Sequence, residues 1–488
     1  MLARIILLFF LLLFLLMNFC DHYFFRTIAY DYGAYNFAFH DYAHFRNSLS
    51  PLYGPHNFKF IQDHVSFTLV LFVPLYWMFA WLTGTYTLLF IQTFLIILGG
   101  WAVYRLLEFK TSDKLIAICG LLYYFLLYGR WSSIVMDCNL AIMASSVVPV
   151  FIYFTERKKW HFAVAALLFI LLTREDMALW MVFIGMFLLV LHRGDRMYRN
   201  FSLLVIALSL AYFVFVFSLF IPLIETAEKK YTLFNYSALG KGPMEALGFI
   251  ILHPVKTFLL FFQNNSDDPN FNNAKLEFYA VYLLSGGLIL FFRPIYLLLF
   301  IPILAKKMLN DSPVRWGIEL YYSIEFVSIM PIAVYLVLSS LRDRLLQKVL
   351  AVLVCTVTLA VTIYEFNTRH HIIQWWDNSK YAFYAPGMYK ADFNAPLIHH
   401  YLGKIPVHAK VSASCKLLPH LAFRKNIYYF PRVNDAEFIA VFRKEDSYPL
   451  SQADFDREVE KYTASREWKI LADEFPLLIL ERVKNDGP

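Results

Sequence analysis

In a chain of 488 residues that is 59% hydrophobic and 17% charged, the side chains able to do chemistry are few and fall in a small number of places. Asp31, His64, Arg130, Asp137, the consecutive triplet Arg174-Glu175-Asp176, and Tyr321 with Glu325 each stand at or near the end of a long apolar run. An ionisable group beside a membrane helix is costly to keep and marks a functional site by default. A carboxylate placed there can act as a general base if it reaches an acceptor hydroxyl and burial tunes its pKa. An arginine can clamp a phosphate through two parallel hydrogen bonds, and a carboxylate pair can hold a cation or a sugar hydroxyl. A histidine can carry a proton, donate to a phosphate or ligate a metal.

Each residue also has a plainer reading. Asp31 can cap a surface helix running through Tyr35 and Ala38, as a short acid at a helix start does. His64 can bond a loop carbonyl. Asp176 can start the next helix while Arg174 snorkels towards water. Glu325, one turn into an apolar helix, can serve as interhelical glue or as a pocket residue.

The elements that must position these groups follow from the composition. A soluble globule has about a quarter of its residues charged, and a disordered chain has low hydrophobicity, so this chain is neither. What remains is a polytopic membrane protein built from runs of about 20 apolar residues. The runs fall at residues 5–19, 67–82, 86–104, 115–128, 140–154, 161–173, 177–191, 201–222, 247–262, 278–292, 295–305, 322–341 and 346–364. The first, behind Arg4, lacks a small-x-small cleavage site and reads as an uncleaved first helix with its N-terminus in the cytoplasm. The 44 Lys and Arg exceed the 37 Asp and Glu by 7, an excess that reports loops facing anionic lipid rather than a nucleic-acid partner. The five cysteines have no metal-ligand spacing.

Basic residues concentrate at 105–114, 157–159, 193–199 and 342–348, and the positive-inside rule places all four loops in the cytoplasm. That parity holds only if residues 67–82 and 247–262 lie along the outer surface instead of crossing. The expected fold is therefore an α-helical polytopic membrane protein with about 11 transmembrane helices and two outer-surface helices. A transmembrane domain at 1–365, with a first outer loop at 20–85, is followed by a C-terminal extracytoplasmic α/β domain at 366–488. In that tail, short β-like runs at 410–413, 426–430, 438–442 and 477–480 alternate with a helical stretch at 452–466 behind Ser451. No inverted repeat is visible, which counts against a secondary transporter.

Five segments resemble the membrane protein family catalogued as domain of unknown function 2079, which looks like part of the GT-C superfamily of polyprenol-phosphate-dependent glycosyltransferases. Tyr30-Asp31-Tyr32-Gly33-Ala34-Tyr35-Asn36-Phe37-Ala38 is similar to that family's Phe-Asp-Leu-Gly-x-x-Asp-Gln-Ala. Asp63-His64-Val65-Ser66 is similar to its Gly-His-Phe-Ser-Pro, and Arg174-Glu175-Asp176 to its Lys-Glu-Asp. Arg293-Pro294-Ile295-Tyr296-Leu297 resembles its Ser-Pro-Leu-Tyr-Leu, and Val411-Ser412-Ala413-Ser414 through Leu418-Pro419-His420-Leu421 resembles the opening of its C-terminal domain. The chain departs from the pattern at Asn36, where the family has a second Asp, and at Asp63-His64-Val65, which lacks the Gly and the following Pro.

The resemblance implies a GT-C-like fold in an inner membrane, with an acid just past the first helix as catalytic base. It implies sugar transfer from a polyprenyl-phosphate-linked donor to a lipid, glycan or protein acceptor on the extracytoplasmic face. Asp31 would be the base and Arg174 or Arg130 would stabilise the phosphate. His64, Asp137, Glu175, Asp176, Tyr321 and Glu325 would be substrate-binding residues, and residues 264–273 would gate access. No dedicated metal site is expected, although a divalent cation remains compatible with the carboxylates. A transporter or flippase of lipid-linked glycans and a non-catalytic envelope assembly protein are the alternative functions.

Overall fold

Inside hydrocarbon every backbone N–H and C=O must be satisfied within its own segment, so apolar runs of this length fold as helices. The computed structural model, which describes the chain apart from residues 54–57, 227–228, 230–233, 369–376, 445 and 484–488, is accordingly mostly helical. Among the described residues, four stretches are long and apolar enough to cross a membrane alone: Leu2–Tyr23, Val73–Thr111, Arg196–Ile224 and Arg344–Thr368. The pair Lys114–Leu126 and Tyr128–Ile134, bent by 48°, makes a fifth if taken together. Four shorter apolar helices, Leu140–Glu156, Trp160–Thr173, Met177–Leu191 and Ile324–Leu338, pack among them.

The two remaining runs expected to cross are broken. Residues 278–292 split into the helix Ala274–Leu284 and a 3-10 turn after Gly286, whose φ of 103° ends the helix. Residues 295–305 split at Pro302 into a 3-10 segment and the helix Ile301–Met308. Proline removes a backbone donor and glycine accepts a left-handed backbone, so both breaks have local causes. The run at 247–262 forms two short helices, Pro243–Leu252 and Pro254–Leu260, each too short to span. The run at 67–82 is not a separate surface helix. Its second part, Val73–Thr83, continues through a 3-10 turn into Thr87–Thr111, giving a stretch of 39 residues. At about 1.5 Å per residue that exceeds the roughly 30 Å of hydrocarbon, so part of it projects beyond.

All four basic loops meet at one end of the bundle. Lys110 pairs with the buried Glu156, which also takes a hydrogen bond from His192 at 2.9 Å. Arg157 lies over the Phe109 ring, Lys158 pairs with Asp195 at 2.8 Å, and Lys348 pairs with Asp113 at 3.4 Å. The charge pattern read from the loops thus corresponds to one physical surface.

Close helix approach is set by small residues. A Cβ added at Gly99 would lie 2.5 Å from the backbone carbonyl oxygen of Ser146, so Thr87–Thr111 and Leu140–Glu156 touch backbone to backbone there. Gly99→Ala is expected to lower the stability of the purified protein by about 1–3 kcal/mol through overpacking, read as a lower melting temperature in detergent.

The C-terminal segment folds as a five-stranded sheet. A two-stranded ladder, β1 (Leu49–Ser50) and β2 (Phe58–Lys59), lies in the first loop, and the sheet follows with β3 (Val411–Ala413), β4 (Ile427–Tyr429), β5 (Phe438–Phe442), β6 (Trp468–Glu474) and β7 (Leu477–Arg482). The order is β4-β3-β5-β7-β6, with β3 parallel to β4 and β5 and the other pairs antiparallel. Ser451 Oγ accepts from the Asp454 amide at 3.2 Å and starts the helix Gln452–Thr463, as its sequence indicates. Along β5 and β7 the side chains alternate between two cores. Ile439, Val441, Leu478 and Leu480 pack with Phe455 of that helix. Phe438, Ala440, Phe442, Leu477 and Ile479 pack in one core with Tyr32, Phe37, Leu52 and Phe60 of the first loop.

Candidate functional site

Residues Ala29–Gly33 form one π-type turn that leads into the helix Ala34–Ala43. Asp31 sits inside the turn and makes no capping hydrogen bond, so the N-cap reading is corrected. The helix that follows is not at the surface either: Ala34 to Phe39 are all buried, packed by the helices Thr68–Leu71 and Val73–Thr83 in a core that the C-terminal sheet shares. The amide of Asn36 donates to the Thr85 carbonyl at 3.1 Å, beside the Tyr32 hydroxyl on the same oxygen, so Asn36 anchors the helix.

Asp31 lies among charges. Burial pushes its carboxyl up to about 6; His64 and Arg174 oppose that rise and Asp63 adds to it. The phenols of Tyr35 and Tyr321 are close enough to feel the Asp31 charge. The protonated form is favoured below about pH 6, so any reaction using Asp31 as base should gain rate as pH rises through that value. A pH–rate profile of kcat/KM should show that rising limb, and a flat profile from pH 5 to 8 would remove Asp31 as the base.

His64 is positioned by two stitches between its segment and the end of the helix Trp160–Thr173. Phe67 N donates to Leu172 O at 2.8 Å, and the Thr68 and Thr173 hydroxyls bond at 2.7 Å. The His64 imidazole reaches Glu175, with Nδ1 3.4 Å from Oε1, instead of a loop carbonyl. Burial works against its charged form, but the Glu175 carboxylate outweighs burial and holds the imidazole pKa above the ordinary value. The second oxygen of Glu175, Oε2, is buried without a hydrogen-bond partner.

Asp176 does start the next helix, standing directly before Met177–Leu191, whereas Arg174 does not snorkel. Asp176 gives no capping bond to Met177–Leu191, and Arg174 is buried. Arg174 Nε lies 3.2 Å from Asp176 Oδ1, and its Nη1 reaches Asn139 at 3.4 Å. Lys306 bridges Asp176 at 2.8 Å and Glu325 at 2.6 Å. Burial alone would raise the Asp176 carboxyl, but Arg174 and Lys306 outweigh it and hold the group well below the carboxylate range. Arg174, Lys306, Arg315, Tyr321, Tyr322 and Glu325 line one narrow, partly open crevice with room for little more than a water molecule, so a substrate would have to open it. Lys307, also on its wall, is wrapped by the carbonyls of Arg315, Gly317 and Tyr322 and by the Ser323 hydroxyl, which fixes the loop carrying Tyr321.

Two residues singled out by the sequence do not line this cavity. Arg130 is fully buried in the bundle with its guanidinium 4.5 Å from the Tyr124 ring, and it does not line the cavity. Asp137 is buried, accepts the Ile28 amide at 3.0 Å and pairs with Asp21; burial and the Asp21 charge push its carboxyl well up. Its role is to hold the chain just before Asp31. Residues 264–273 form a locally hydrogen-bonded turn, Asn264 donating to Asp268 O at 2.9 Å and to Asn272 Oδ1 at 2.8 Å. Among the described residues, no group of three His, Cys, Asp or Glu side chains is set to hold a metal ion.

Lys306 and Arg315 belong to this neighbourhood although the sequence reading did not select them. Lys306 had a signal: a basic pair at the end of an apolar run, on the end of the bundle opposite the basic loops. That placement runs against the usual distribution of Lys and Arg.

Residues 21–478 match the family described as "Predicted membrane protein (DUF2079)". No curated protein matches the chain. Among solved structures, ArnT from Cupriavidus metallidurans bound to undecaprenyl phosphate is similar at 11% identity over 99% of this chain and 99% of that one, with a TM-score of 0.46.

Proposed function

The chain belongs to the DUF2079 family of predicted membrane proteins, and from that premise we propose that it is a membrane glycosyltransferase using a polyprenyl-phosphate-linked sugar, with Asp31 as general base. The observation that carries the reading is the gathering of Asp31, His64 and Arg174, from three separate parts of the chain, beside a cavity lined by cations.

The chemistry follows from the charges. Asp31, deprotonated above about pH 6, takes the proton of an acceptor hydroxyl. The acceptor oxygen bonds to the anomeric carbon of the sugar while the bond from that carbon to the phosphate oxygen breaks. The electron pair leaves on the phosphate, and the product is glycosylated acceptor plus polyprenyl phosphate. Negative charge therefore develops on the phosphate, and fixed cations aimed at developing charge are the largest single catalytic contribution in many enzymes. Arg174 and Lys306 supply those cations, while His64, Glu175 and Tyr321 hold sugar hydroxyls. The basic-loop end faces the cytoplasm under the positive-inside rule, which puts Asp31 and the C-terminal sheet on the extracytoplasmic side.

The test uses purified protein in liposomes with polyprenyl-phosphate-linked labelled sugars and an extract of envelope acceptors. Arg174→Met should lower kcat about a hundredfold, the scale for one electrostatic stabiliser, measured at matched folded amounts because the variant also loses the buried pair with Asp176 and should melt lower. Undiminished transfer by that variant would contradict the phosphate assignment.

A further inference from the structure

The segment that brings the chain from the first helix to Asp31 is held from two sides. On the bundle side, the Ile28 amide donates to Asp137 and the Tyr32 hydroxyl to Thr85. On the other side the partners all come from beyond residue 379. Arg26 donates to the carbonyls of Lys380 at 3.2 Å, Gly387 at 2.6 Å, Met388 at 3.0 Å and Lys390 at 3.0 Å. The His22 and His420 rings stack at 3.9 Å and 5°, and Phe25 packs on His420 at 4.3 Å and on His399 at 4.6 Å. His399 Nε2 meets the Tyr23 carbonyl at 2.9 Å. The short helix Leu418–Leu421 rests on the π turn itself, with Pro419 N 3.6 Å from where a Cβ on Gly33 would stand.

These contacts are more specific than a hydrophobic seam requires. His22 is fixed in its ring plane because both nitrogens are used, Nδ1 with Thr27 at 2.8 Å and Nε2 with Thr85 at 2.9 Å. A ring so fixed presents one flat face, and His420 covers that face in parallel. The chain turns through a left-handed residue at Phe25, φ 57°, directly under this stack. That strain persists only where the surroundings over-determine it.

We propose that the C-terminal domain is a working part of the site, and that His420, through its stack on His22 and Phe25, is a positioning residue that holds residues 29–36 and the Asp31 carboxylate in place. The tail thereby acts as a clamp on the site segment, which is why sheet and first loop share one core. The inference goes beyond the glycosyltransferase reading and does not depend on it, because the clamp is observable without any transfer assay.

The test compares hydrogen exchange of full-length wild type, His420→Ala and His420→Phe in lipid nanodiscs. Alanine removes the stack; phenylalanine keeps a flat ring of similar size. An aromatic pair contributes enough that His420→Ala should speed exchange of amides 29–36 roughly three- to tenfold. Amides of β5, residues 438–442, should exchange as in wild type, and His420→Phe should restore slow exchange at 29–36. Unchanged exchange at 29–36 in His420→Ala would overturn the proposal. So would equal acceleration of β5 and residues 29–36, which marks general loosening, or His420→Phe exchanging as fast as His420→Ala.

Discussion

Asp31→Asn is expected to melt at a higher temperature than wild type at pH 8 while losing transfer. The carboxyl of Asp31 is raised to about 6 by burial, against about 3.9 for an unfolded aspartate. A group raised on folding contributes stability that is present below the unfolded value and is lost as pH rises through the folded one. Wild type therefore carries a penalty at pH 8 that it does not carry at pH 4, and an asparagine, which does not titrate, removes it. The difference in melting temperature should be clear above pH 6 and should vanish near pH 4. Loss of a general base costs about 10²- to 10⁴-fold in rate, so the same substitution should stabilise the fold and silence the site. A variant that melts lower at pH 8 would show that Asp31 is a structural ligand whose partners need its charge.

Lys306→Met is expected to be the most destabilising single change in the cavity. Lys306 is shared by Asp176 and Glu325, and Glu325 is buried. Removing one partner of a buried pair leaves an uncompensated charge and costs about 3–5 kcal/mol; the partial exposure of Lys306 places the expectation near about 3 kcal/mol. The double variant Lys306→Met with Glu325→Gln should recover a substantial part, because the orphaned carboxylate is then gone. Arg174 remains beside Asp176 in both variants, so the recovery isolates the Glu325 arm. Additive losses in the double variant would mean that Lys306 acts through packing rather than through charge.

Which parts of this were legible in the sequence depends on how local the determining contact is. The membrane class, the four basic loops at one end, and four of the five strands of the C-terminal sheet all rest on composition or on short-range alternation, and the structure repeats them. β6 was missed because Trp468-Lys469-Ile470-Leu471-Ala472-Asp473-Glu474 is an edge strand with much of its surface exposed, so its pattern is not strongly apolar. Asp31, His64 and Arg174 stood out because polar residues beside apolar runs are rare. Their convergence was not readable, since it is set by stitches such as Thr68 to Thr173, 105 residues apart. Asp137 and Arg130 carried the same signal at residue level, yet the fold turns one towards Asp21 and the other towards Tyr124. The union of tail and first loop in one core was hidden for a related reason. Two-sided burial of β5 reveals that both faces are covered and not by what.

The central claim is that Asp31, set beside a cation-lined cavity, is the base of a sugar transfer. Its most direct test is transfer of labelled sugar from a polyprenyl-phosphate donor by wild type and by Asp31→Asn in the same liposomes, at pH 7.5 and at matched folded amounts. The account predicts transfer by wild type and at least a hundredfold loss in the variant. Equal transfer by the two proteins would contradict it.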